Sequence, residues 1–257
     1  MMEQSACKIS IQHLYKHYLV ESAQQLTVLE DTHLDIQAGG FYSFIGQAGC
    51  GKSTLLRLIV GLESYQQGQI LIDGIEHRHQ FKTLSVVYVN DRLFPWQTVR
   101  ENIRMALQHS NLTKEEENLR IQAQLELLDL DHFQEAYPSQ LSAAMNLKVS
   151  IAKSLVKQPD LLLLDEPFSA LDVLMRQYLI DELRRIIQLR PITVILMTEN
   201  VTDALQLSSH IVLMQQHGKI GKIFELPYAF PRHSEHRAFQ QLKKDIFALL
   251  KPFTASV

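Results

Sequence analysis

The run Gly46-Gln47-Ala48-Gly49-Cys50-Gly51-Lys52-Ser53-Thr54 constrains this chain more than any other segment. It fits the pattern G-x-x-x-x-G-K-[ST], and its flanks agree with it: Phe41 to Ile45 reads as a buried strand, Ser53 to Leu62 as a helix. Three glycines keep Cβ atoms out of the turn, so successive N–H groups close around phosphate oxygens at a helix N-terminus whose dipole favours negative charge. Lys52 adds a point charge for the β- and γ-phosphates, and the Ser53 hydroxyl is placed to ligate Mg²⁺.

A second motif, Leu161-Leu162-Leu163-Leu164-Asp165-Glu166-Pro167, has the four-leucine run of a strand covered on both faces in a parallel sheet, ending in two carboxylates. Asp165, at the carboxyl end of that strand, is suited to holding the metal's water shell. Glu166 beside it is suited to orienting or deprotonating an attacking water. Taken singly, the first motif reads as a surface turn and the second as a polar strand end. The agreement of loop, strand, helix and acidic pair outweighs both.

The 257 residues fit one large α/β domain with a lobe inserted, or two small domains, and 46% hydrophobic residues supply a core. A formal charge of −3 gives no sign of a basic surface, so nucleic acid is not the expected partner. The start, from Met1 to Lys8, lacks the apolar core of a signal peptide, and no stretch approaches the ~18 uninterrupted apolar residues of a membrane span. Of the two cysteines, Cys7 and Cys50, the second sits inside the phosphate loop, where a disulfide would obstruct the ligand; a reducing cytosol suits the chain. Among eleven histidines, His77-Arg78-His79 invites a metal reading, but no carboxylate or cysteine stands at ligand spacing around it. A solvated turn fits better there.

Residues 8 to 38 alternate apolar and polar positions, as an antiparallel β layer with one wet face does. Gln69 to Asp73 and Ser85 to Val89 read as further strands, and Leu93-Phe94-Pro95-Trp96 breaks regular structure. From about Val99 to Val156 the texture is helical. Strands resume at Leu161 and Thr193, with a helix from Val173 to Leu189 between them. Ile211 to Met214 and Lys219 to Ile223 form a β pair about Gln216 to Gly218, and a helix is expected from Glu235 to Leu250.

With strand, phosphate loop, helical insertion, carboxylate strand and Ser169-Ala170-Leu171-Asp172 in this order, the chain resembles an ATP-binding cassette (ABC) ATPase over nearly its full length. Leu93-Phe94-Pro95-Trp96-Gln97-Thr98-Val99-Arg100-Glu101-Asn102, with Glu225-Leu226-Pro227 and Pro231-Arg232, resembles the ATPases of importers for nitrate, taurine and aliphatic sulfonates. The resemblance implies an α/β fold: a P-loop NTPase core with a mixed, largely parallel sheet, an antiparallel β subdomain and an inserted helical subdomain. It implies an ATPase domain over 8–226, with residues 99–156 inserted, and a helical tail over 227–257. ATP and Mg²⁺ are the implied cofactors. Tyr18 matches the aromatic that stacks on adenine, Asp165 the metal carboxylate, Glu166 the catalytic base, Ser142 the signature serine facing the partner's nucleotide and Asp172 the dimer-contacting loop.

Three departures qualify the match. The signature Leu-Ser-Gly-Gly-Gln/Met stands here as Leu141-Ser142-Ala143-Ala144-Met145, and two methyl groups in place of two glycines hold backbone away from a γ-phosphate. Losing one charge-assisted hydrogen bond there costs ~1.5–3 kcal/mol. The metal- and water-sensing glutamine is Asn90, one methylene shorter. The histidine after Met197-Thr198 is Glu199, followed by Asn200 where the family has aspartate. A carboxylate about 4 Å from a phosphate charge is repelled by roughly 4 kcal/mol at an effective dielectric near 20. Glu199 must therefore turn away, bind a cation or be protonated when ATP is bound.

The expected function is the ATP-hydrolysing subunit of an importer for a small solute, peripheral on the inner face of the plasma membrane. Its implied partners are a second cassette, in a homodimer or heterodimer, a pair of transmembrane permease subunits and an external solute-binding protein. A degenerate regulatory subunit with little hydrolysis, paired with a more active cassette, is the alternative. A cassette acting on ribosomes or DNA would carry two cassettes, a coiled-coil insertion or a basic arm, and none is present.

Overall fold

The computed structural model describes residues 7–19, 25–76, 84–88, 93–190, 192–226 and 237–250. In chain order these form β1 (Cys7–Leu19), β2 (Gln25–Gln37), β3 (Phe41–Ile45), α1 (Lys52–Val60), β4 (Gln67–Ile72), β5 (Ile75–Glu76) and β6 (Leu84–Tyr88). There follow α2 (Val99–Met105), α3 (Lys114–Leu127), α4 (Ala143–Leu155), β7 (Leu161–Asp165), α5 (Val173–Leu189), β8 (Thr193–Thr198), α6 (Val201–Leu207), β9 (His210–Met214), β10 (Ile220–Glu225) and α7 (Arg237–Leu249). Two compact units divide them, Met1–Phe81 with Thr193–Val257 and Lys82–Ile192.

The first unit holds an antiparallel layer in the order β2-β1-β4-β5 and a run of strands in the order β10-β9-β3-β8. Within that run β3 is parallel to both β8 and β9, and β10 returns antiparallel to β9. Every residue of β3 and β8 is buried, as an apolar strand with two covered faces requires. One covering comes from α6 and α7: Val201, Leu205, Phe239 and Ile246 bury against Ile45, Ile211 and Leu213. The tail helix is thus packed onto the unit through Phe239 and Ile246.

In the antiparallel layer β2 alternates buried Leu29, Leu34 and Ile36 with exposed residues. The β1–β2 register slips between Ile11↔Leu34 and Leu14↔Thr32, and at this irregularity His13 and Asp31 both take left-handed backbone, φ 48° and 53°.

In the second unit β6 and β7 pair in parallel, and β7 is buried throughout. The helices α2 to α4 begin at side-chain caps that satisfy otherwise orphaned N–H groups. Thr98 with Glu101 and Thr113 with Glu116 form reciprocal capping boxes for α2 and α3. Asn102, fully buried, holds the preceding loop: its Oδ1 accepts from the Phe94 N–H at 2.8 Å and its Nδ2 donates to the carbonyls of Phe94, Gln97 and Thr98. A buried ion pair joins α4 to α5, with Lys148 Nζ 2.9 Å from Glu182 Oε1 and 3.0 Å from the Leu128 carbonyl. Burial pushes the Glu182 carboxyl up, against the pull of Lys148.

Candidate functional site

The phosphate loop joins β3 to α1, and its shape explains its glycines. A Cβ on Gly46 would lie 2.3 Å from the Met214 carbonyl of β9, so no other residue fits there. Gly49 and Gly51 have φ of 80° and 106°, and Gly51 is the N-cap of α1. The loop is fastened to the β9–β10 turn, where the Gly218 N–H donates to the Cys50 carbonyl at 3.1 Å, while Thr32 Oγ1 donates to the Gly218 carbonyl at 3.0 Å. Cys50 is buried, which pushes its thiol up and makes it a packing residue rather than a reactive one.

Lys52 is buried within this loop. Its Nζ donates to the carbonyls of Gly46 at 2.7 Å and Gln47 at 3.1 Å, and it lies 3.4 Å from Glu199 Oε1 just beyond β8. The carboxylate of Glu199 thus lies beside the cation of Lys52. Asn200 serves as a helix cap, its Oδ1 accepting from the N–H groups of Thr202 and Asp203 at the start of α6.

A cavity of about 630 Å³ opens beside Gln47, Ala48, Gly49 and Cys50 and is lined also by Thr27, Met214 and Leu249. The end of the tail reaches it, because Gln47 Nε2 donates to the Leu250 carbonyl at 3.1 Å. Ser53 and Thr54 lie in the first turn of α1, Thr54 buried.

Tyr18 stands near the end of β1 in a charged network. Its hydroxyl donates to Glu63 Oε2, and Lys16 Nζ sits 4.6 Å from the centre of its ring. Burial and the Glu63 bond push the phenol up; burial opposes ionisation of Glu63, but the bonds from Tyr18 and Lys16 hold that carboxyl below its ordinary range.

The remaining described site residues belong to the second unit. Asp165 is buried at the end of β7, and Glu166 follows in left-handed backbone with φ 47°, uncommon for a residue with a Cβ. The Ser169 N–H and hydroxyl both donate to the Glu166 carbonyl and hold that turn. Ser142 caps α4, its Oγ accepting from the Met145 N–H at 3.2 Å. Of the two alanines after it, Ala143 is exposed and Ala144 is buried, so only one methyl crowds the outer face of this helix start. Asp172 caps α5 through the N–H groups of Leu174 and Met175. Asn90, Pro227, Pro231-Arg232 and His77-Arg78-His79 lie outside the described residues.

The family model of the ABC transporter matches residues 29–169, which include the phosphate loop, the helical stretch and the acidic pair. The chain belongs to the ABC transporter family. Among relatives of this ABC chain, the aliphatic sulfonates import ATP-binding protein SsuB of Bacillus subtilis (strain 168) is 35% identical over 230 residues, 89% of this chain and 89% of that one. The nitrate import ATP-binding protein NrtC of Synechococcus elongatus (strain ATCC 33912 / PCC 7942 / FACHB-805) is 36% identical over 228 residues, 87% of this chain but 35% of the relative. The dimeric post-hydrolysis state of the ATP-binding cassette MJ0796, bound to ADP and Pi, matches with TM-score 0.75 at 24% identity, covering 86% of this chain and 100% of that one. That likeness establishes the ABC ATPase fold.

Sequence reasoning missed one constellation of this ABC chain. His13, Asp31 and His33 meet on the exposed face of the β1–β2 pair, with His13 Nδ1 and His33 Nε2 each 2.9 Å from Asp31 Oδ1. No spacing rule brings His13 to Asp31; only the strand register does.

Proposed function

We propose that this chain is the ATP-hydrolysing subunit of an importer for a small oxyanionic solute of the sulfonate or nitrate kind. It would work as one of a pair of cassettes, homo- or heterodimeric, on the cytoplasmic face of the plasma membrane. The pair would drive two permease subunits fed by an external solute-binding protein. The observation that carries the reading is the loop around Lys52. Buried Nζ, donating to two main-chain carbonyls, one carboxylate and, at 4.0 Å, the Cys50 sulfur, is poised to exchange these partners for phosphate oxygens at the N-terminus of α1. The names of the relatives support the solute class, since sulfonate and nitrate share a compact anionic head.

In this proposal the ATPase domain spans residues 8–226, with 99–156 as its inserted helical part, and residues 227–257 form the tail. Main-chain N–H groups from Gly46 to Thr54 hold the triphosphate, Lys52 neutralises its β- and γ-oxygens, and Tyr18 offers a ring face to adenine. Glu166 accepts the proton of the attacking water. The Ser53 hydroxyl and Asp165 carboxylate are the hard oxygen donors that fit Mg²⁺, which when bound neutralises charge on the phosphates. Asn90 and Ser142 face the nucleotide in the assembled pair, and closure of that pair moves the permease.

Phosphate release by the purified full chain, with Glu166→Gln as the blank, tests turnover. Solute uptake in cells with and without the permease subunits tests the partnership. Release no faster than the blank, alone and beside a second cassette, rejects the ATPase; uptake unaffected by loss of the chain rejects the importer. A second reading, a regulatory subunit with little turnover, is favoured by the Glu199 carboxylate on Lys52. It predicts tight nucleotide binding with release at blank level until an active partner cassette is added.

A further inference from the structure

We propose that His13, Asp31 and His33 form a binding site for a divalent cation of the zinc class, on the antiparallel layer and apart from the phosphate loop. Each residue offers one ligand atom: Nδ1 of His13, a carboxylate oxygen of Asp31 and Nε2 of His33, all within 4.8 Å of one another. Both imidazole nitrogens converge on the same oxygen, Asp31 Oδ1, at 2.9 Å. Ligands at zinc–nitrogen and zinc–oxygen distances near 2.1 Å in a tetrahedron stand about 3.4 Å apart, so the two known edges need to open by only about half an ångström. Two nitrogens and one oxygen are a donor set that zinc accepts, and the fourth position faces solvent, as it does in open zinc sites.

The platform is firm. Ile11, Leu14, Thr32 and Leu34, which flank the irregular step in the register, are buried, so the three exposed side chains project from an anchored backbone. The rings of His13 and His33 already stand edge to face with centroids 4.1 Å apart, at an interplanar angle of 79°. The two strands contribute to the site together, one ligand from β1 and two from β2. A bound cation therefore cross-links them and stabilises the layer that presents Tyr18 five residues farther along β1.

The test uses the full chain, stripped of metal with a chelator and free of nucleotide. Zn²⁺ is titrated calorimetrically, Co²⁺ is followed by its visible absorption, and thermal unfolding is recorded with and without Zn²⁺. His33→Gln and Asp31→Asn are compared with a control carrying His77→Gln and His79→Gln. One Zn²⁺ per chain is expected, with a raised melting temperature. Because loss of a mere outer partner weakens metal sites ~10–100-fold, each ligand variant should bind at least ~10-fold more weakly and lose the cobalt band, with the control unchanged. All three ligands are exposed, so the variants should fold as the parent does, which far-ultraviolet circular dichroism checks. Should one ligand variant misfold, the other, with His13→Gln, carries the same comparison. Absence of saturable Zn²⁺ uptake by the parent, uptake undiminished in the ligand variants, or uptake lost only in the control would each overturn the assignment.

Discussion

Lys52 Nζ lies 3.4 Å from Glu199 Oε1, so the cation that should meet an incoming triphosphate already has an anion beside it. The lysine is buried and the glutamate half exposed, which lets the carboxylate swing out when a phosphate takes its place. Loading then requires the loss of one ion pair and the approach of like charges. Glu199→Gln removes both, and calorimetry should show ATP binding tightened roughly tenfold once solvent screening of the exposed carboxylate is allowed for. ADP, which lacks the γ-phosphate, should change far less. Equal tightening of both nucleotides would contradict this placement of the charge.

Lys52→Ala should abolish the binding of both nucleotides, whereas Glu166→Gln should leave binding intact and slow phosphate release ~10²–10⁴-fold. Nucleotide titrations and a phosphate-release assay on the same preparations separate the two effects.

The exposed methyl of Ala143 and the buried one of Ala144 should behave differently. Ala143→Gly frees the outer face of the α4 start and should raise turnover of the paired cassette. Its cost in helix stability is at most about 1 kcal/mol, seen as a slightly lower melting temperature. Ala144→Gly should lose comparable stability without the gain. Phosphate release and differential scanning fluorimetry of the two variants decide the point.

Lys148 and Glu182 are both buried and bonded to each other, so removal of one leaves the other charged and unpaired. Lys148→Met should destabilise the protein by roughly 3–5 kcal/mol, and adding Glu182→Leu should recover most of the loss. Denaturant unfolding of the single and double variants measures this coupling.

His210 stacks on Tyr42 with ring centroids 4.4 Å apart, and partial burial holds its imidazole below the ordinary value of 6.5, with Glu225 opposing. Below pH 6.5 the unfolded chain binds the proton more readily than the folded one, so this residue's contribution is complete above that value and falls as pH drops toward the folded value. His210→Phe should flatten that part of the stability profile between pH 7.5 and 5.5. An unchanged difference between parent and variant across this range would count against the buried, neutral form.

Much of the fold was legible because local rules and tertiary needs coincide. The helix expected over Val173 to Leu189 is α5 itself, bounded by the cap at Asp172. The leucine run of β7 read directly as a covered strand, and the glycines of the loop declared their backbone. What could not be read were meetings across the chain. The partner of Glu199, the inward turn of Ala144 and the convergence of His13, Asp31 and His33 all depend on register and packing. The capping roles of Asn200 and Ser142 were available in the sequence, where each stands just ahead of a helical run.

Gly46 rests against the Met214 carbonyl, and Cys50 is bonded to Gly218, so the floor and one wall of the loop are built from residues that leave the ribosome long after the loop itself. An emerging chain therefore carries the glycine motif as an open turn, and the loop acquires its shape only when β9 is synthesised and slots in beside β3. Nucleotide affinity becomes a late event in biosynthesis, and polypeptides released early would not sequester the cell's ATP.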